Sequence, residues 1–144
     1  MKRSGIFVVL CLALGAVRAE AQSQVPQVSL LVGSNPVVLG GNHPCLALLP
    51  EVPASSDIHL VMGVPGASVV ELSGQSINIS LMNPMVLLSS TTKGLVWWDR
   101  LPVPNDPSLV GLKFRLGAIV VEPSATVHVS ALVPFGPIIE DSIQ

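Results

Sequence analysis

The sequence predicts an all-β protein, an antiparallel two-sheet β-sandwich of jelly-roll or Ig-like type, preceded by a signal-peptide helix. Three observations carry that expectation. First, 13 prolines and 12 glycines interrupt nearly every apolar stretch before it reaches helical length, and proline inside a helix removes a hydrogen bond and clashes with the preceding turn. Second, what remains is a series of short apolar runs bounded by turn residues. Third, residues 76–81 and 126–132 alternate polar and apolar side chains, which on a pleated strand buries one face and wets the other.

The elements follow in chain order. Lys2 and Arg3 precede an uncharged apolar run over residues 6–17 and the small-residue site Ala19-Glu20-Ala21. That run is too short for the roughly 20 residues of a membrane-spanning helix, and the three-part pattern is that of a cleavable signal peptide, residues 1–21. Cleavage after Ala21 is favoured, with Ala19 the alternative. Cys11 follows Leu10 rather than a small residue and apolar sequence continues beyond it, which argues against lipid attachment. Residues 22–144 then read as one domain, without repeat, charge block or linker. Strands are expected at 25–32, 36–39, 45–49, 58–64, 68–72, 76–81, 85–89, 94–101, 111–121 and 126–132. Residues 134–144 are expected to form a loose tail.

Charge excludes some functions. Lys2, Arg3, Arg18 and Glu20 leave with the signal, from totals of 7 basic and 9 acidic residues, so four basic and eight acidic residues remain. No basic cluster is present to displace counterions from phosphates, so nucleic acid is not an expected partner. No later segment is long and apolar enough to serve as a transmembrane anchor after cleavage. The expected location is therefore secreted, extracellular or periplasmic.

Cys45 is the cysteine left after cleavage, and a lone thiol between Pro44 and Leu46 reads as a buried, inert one. His43, His59 and His128 lack the short spacings of a metal site. Serines, histidines, Asp57, Asp99 and Asp106 coexist without a Gly-x-Ser-x-Gly elbow, and Glu51, Glu71 and Glu122 have no evident cleft. The expectation is no enzyme, no cofactor and no metal; a hydrolase would need a pocket bringing one histidine within hydrogen-bond reach of a serine or carboxylate. Asn78-Ile79-Ser80 matches the N-glycosylation acceptor pattern.

The stretch from Leu101 to Arg115 is the most distinctive. Pro102 and Pro104 hold the chain extended at a strand end. Asn105-Asp106-Pro107-Ser108 forms a turn in which Asp106 accepts nearby backbone amides. Leu109 and Leu112 are expected to plug the core, and Gly111 to admit a sharp entry into the next strand. This segment resembles a short β-sandwich domain found near the C-termini of many secreted bacterial proteins, with a Pro-x-Pro-x-Asp-Pro-Ser-Leu-x-Gly-Leu run ahead of a long strand. The close match covers residues 99–132, with turn spacing alone extending it to residue 36. Here the strand ends in Glu122-Pro123 where Asp-Pro is usual, and Arg115-Leu116 stands where aromatic residues or Gln are common. The resemblance implies an extracellular module, and a bacterial source in which the acceptor tripeptide has no meaning; it carries over no catalytic residues.

Trp97 and Trp98 are the only tryptophans, and tyrosine is absent. Neighbouring strand residues point to opposite faces, so one indole should enter the core and the other should face out beside Arg100. Trp97, Trp98 and Arg100 are thus the candidate binding surface. With so few charges the exterior must include exposed aliphatics, which on a secreted domain mark a protein contact. The functional expectation is a non-catalytic module for extracellular or cell-envelope protein contact or assembly, its partner an extracellular or envelope protein or a second copy of itself. The alternative is a small carbohydrate-binding module that stacks a glycan on an exposed Trp.

Overall fold

The computed structural model describes residues 28–140; the expected signal peptide, residues 1–21, lies outside them. The described residues form ten strands and one 3-10 turn: β1 Ser29–Val32, β2 Val37–Val38, β3 Asn42–Leu48, β4 Asp57–Leu72, β5 Gln75–Thr91, β6 Val96–Pro102, the 3-10 turn Pro107–Leu109, β7 Phe114–Val121, β8 Val127–Val129, β9 Val133–Phe135 and β10 Ile138–Ile139. Among them there is no α-helix, and none is long and apolar enough to cross a membrane.

Three sheets result. β1, β3 and β6 make an antiparallel three-stranded sheet with β3 in the middle. In the five-stranded sheet β5 pairs with β4 and β4 with β7, while β8 and β9 share the far edge of β7. β2 and β10 form a short parallel pair. The three- and five-stranded sheets both contribute to one large apolar cluster: Ala47, Trp97 and Leu101 come from the first, and Ile58, Leu60, Leu116 and Val120 from the second. The even-numbered residues 58–62 and 114–120 supply that cluster, as period-two alternation requires.

The odd-numbered residues of the same strands face away from it, yet Val61, Ile119 and Val121 are buried too. The β4–β5 hairpin accounts for this. Residues expected to form four strands, 58–64 with 68–72 and 76–81 with 85–89, instead form two of 16 and 17 residues. Register shifts at Leu60/Val61, Met62/Val64 and Pro65/Ser68 bend the pair, and Asn83 adopts a left-handed φ of 51°. Gly63 sits in the bend, where an added Cβ would lie 2.8 Å from the Met82 carbonyl oxygen. The far half of the hairpin therefore folds back, and its Ile77, Ile79 and Leu81 form a second cluster with Val61, Ile119 and Val121. The hairpin tip is a two-residue turn whose Ser73 and Gly74 both have positive φ, 49° and 75°, the turn that matches strand twist.

Residues 134–140 correct the expected loose tail; residues 141–144 lie outside the described residues. β9 pairs with β7, and β10 with β2. Phe135 and Ile138 are fully buried. The expected strand 111–121 begins only at Phe114, because the 3-10 turn and Gly111, at φ 84°, occupy the entry. Asp106 caps that turn, accepting from Ser108 N (3.0 Å) and Ser108 Oγ (2.8 Å), and these bonds hold its carboxyl below the usual range. Leu109 packs on the core, whereas Leu112, expected to do the same, is exposed.

Candidate functional site

The outer face of the three-stranded sheet carries the exposed apolar residues Leu31, Leu48, Val96 and Trp98, while Val69, Met82, Met85 and Val86 are exposed on the long hairpin. Register fixes its rows: Leu31 and Trp98 flank Leu46, Ser29 and Val96 flank Leu48, and Arg100 stands opposite Pro44. All of these side chains fall on the side away from the core, because their neighbours Leu30, Cys45, Ala47, Trp97 and Leu101 are buried. Trp98 is 70% exposed, Leu31 56% and Val96 49%. Leu95, also exposed, extends the rim. A shallow depression between Leu31, Gly33, Pro44, Leu46 and Trp98 marks the centre.

Of the three candidates, Trp98 and Arg100 lie on this face. Trp97 does not: it is 7% exposed and belongs to the core cluster, so it is no part of a surface. Leu31, Leu46, Leu48 and Val96 were missed by sequence reasoning, since strand register across a sheet is not written in any one strand. The alternation of β1 and β3 could have pointed to them. Chemically the face offers dispersion contact, one indole and one guanidinium. It holds Arg100 as a cation without an anion on the same rows.

Two of the histidines, His59 and His128, come within hydrogen-bond reach of a serine or a carboxylate, and the third, His43, is held by the backbone. His43 is buried, donates from Nε2 to Gly33 O at 2.9 Å and meets Phe135 edge-on at 5.4 Å. His128 Nε2 lies 2.5 Å from Glu122 Oε2. His59 links the base of the long hairpin to its tip: Nδ1 is 2.7 Å from Ser89 Oγ, Nε2 is 2.9 Å from Ser73 Oγ, and Ser73 Oγ donates to Asp57 Oδ2 at 2.7 Å. With the Ser73 hydroxyl committed to Asp57, Nε2–H donates to Ser73 and Nδ1 accepts from Ser89. Burial holds His59 below its ordinary pKa, against the opposing pull of Asp57, so the neutral ring is the resident form. The chain of four groups pins the fold-back. Cys45 is buried on the core side of β3, and burial pushes its thiol up to about 12, which leaves it protonated and unreactive.

No family model and no curated protein matches the chain. Solved structures resemble it at low similarity. The sporulation control protein Spo0M from Bacillus subtilis aligns with a TM-score of 0.41 and 8% identity, over 82% of this chain and 51% of that one. A DUF4466 family protein from Parabacteroides merdae aligns with a TM-score of 0.41 and 16% identity, over 79% of this chain and 44% of that one. The chain thus spans about half the length of each.

Proposed function

We propose that this chain is a secreted, non-catalytic module, residues 22–144 after removal of 1–21, built as a two-sheet β-sandwich that makes extracellular or cell-envelope protein contacts through the outer face of its three-stranded sheet. The observation that carries this reading is Trp98, 70% exposed amid Leu31, Leu46 and Val96. Contiguous exposed apolar surface marks interaction sites on soluble proteins. Two strand spacings and two row steps make the patch only about 10 by 14 Å between Cα positions, small beside the ~800 Å² per partner of a standard interface. A central indole anchor, rather than area, then carries the affinity, as at other interfaces.

The test uses the immobilised protein and its Trp98→Ser variant against proteins of the extracellular and envelope fractions. The proposal expects a defined protein retained by the wild type and lost with the variant, at unchanged circular dichroism. Identical retention by both, or none by either, overturns it. A glycan stacked on Trp98 beside Arg100 is the second reading, favoured by the open indole. It predicts tryptophan fluorescence that shifts with a polysaccharide, whereas Leu31, Leu46 and Val96 offer sugar hydroxyls no hydrogen-bonding side chain.

A further inference from the structure

The five-stranded sheet ends at β5, and among the described residues no strand pairs with the other edge of β5. Alternate residues of an edge strand direct unpaired N–H and C=O groups outward, a template for another strand, and proteins ordinarily blunt such edges with charge or proline. Gln75–Thr91 contains no Lys, Arg, Asp or Glu. Pro84 and the left-handed Asn83 interrupt it, but only beyond its first eight residues. That first segment is therefore an open edge in a chain whose charge is otherwise net negative.

The segment is also its own complement. Ser76-Ile77-Asn78-Ile79-Ser80 reads identically in both directions. Two copies paired antiparallel about a two-fold axis at Asn78 set Ser76 against the second copy's Ser80, Ile77 against its Ile79, and Asn78 against its Asn78. Ile77 and Ile79 are buried while Ser76, Asn78 and Ser80 are exposed, so β-branched pairs meet on the apolar side and hydrogen-bonding pairs on the wet side. Beside this edge an apolar slot lies between Ile79 and Leu81 on one flank and Val129 and Leu132 on the other. No like charges are brought together.

We propose that this chain forms a two-fold dimer by antiparallel pairing of residues 75–82 with the same segment of a second copy. The surface is distinct from the Trp98 face, and each chain has one such segment, so association closes at two. Sedimentation equilibrium of the purified protein tests it, with variants Asn78→Lys, Asn78→Glu and Trp98→Ser. Asn78 is exposed and its cross-strand neighbour is Val69, so neither charge disturbs the fold, and circular dichroism verifies this. The wild type and Trp98→Ser should dimerise alike. Asn78→Lys and Asn78→Glu, each set against its own charge on the axis, should weaken the dimer about tenfold, and an equimolar mixture of the two should restore it as a heterodimer. A monomeric wild type, single variants that dimerise undiminished, a mixture without recovery, or loss of the dimer in Trp98→Ser would each overturn the proposal.

Discussion

Around Val61 and Ile119 the five-stranded sheet is buried on both faces, whereas the three-stranded sheet buries one and leaves Leu31, Leu46 and Trp98 on the other. The first sheet covers its outer face with its own hairpin, so that Ile77, Ile79 and Leu81 shield Val61, Ile119 and Val121. The second has strands of four and seven residues and nothing long enough to fold back. The contrast separates two uses of the same alternating pattern: apolar residues on the outward positions of β4 and β7 serve stability, and those on β3 and β6 do not.

Removing the covered side should cost most. Ile119→Ala empties part of the second cluster, with an expected loss of roughly 2–5 kcal/mol, read from denaturant midpoints. A loss under about 1 kcal/mol would mean the hairpin does not seal that face. Next comes Gly63→Val, which drives a Cβ to 2.8 Å from the Met82 carbonyl oxygen; overpacking at the bend should cost about 1–3 kcal/mol.

The pin between hairpin base and tip gives a pH-dependent effect. The folded pKa of His59 lies below its ordinary 6.5, so the unfolded chain binds more protons between the two values. Stability contributed by the neutral ring is full above about 6.5, falls as pH drops through that window and levels off below the folded pKa. Thermal unfolding of His59→Gln should show a shallower fall over that range than the wild type; parallel curves would remove His59 from the latch. The smallest effect belongs to the bare side: Trp98→Ser should change stability within about 0.5 kcal/mol. A larger loss would make the indole a structural residue.

The all-β character was legible because proline and glycine spacing and the alternation at 76–81 are local signals. So was the opposite facing of Trp97 and Trp98, a consequence of pleating alone. The fold-back was not. Pro65-Gly66 and Asn83-Pro84 read as strand ends, yet the same residue types also make bulges within a continuous ladder, and only the facing strand decides between them. Nor was the His59 linkage, whose partners Ser73 and Ser89 stand 14 and 30 positions away. Pro134, Gly136 and Pro137 suggested a tail because strands of two or three residues leave no period to read. The Trp98 face was half visible: the indole stood out, but its apolar neighbours arrive from β1 and β3 through register.

The parallel pairing of Val37–Val38 with Ile138–Ile139 has a consequence for timing. An early segment waits for one of the last, and closing so long a loop is slow compared with forming a hairpin. During synthesis the long hairpin has both of its arms well before the clasp can shut. A nascent chain emerging from the ribosome therefore lacks its final seam until nearly every described residue has been made.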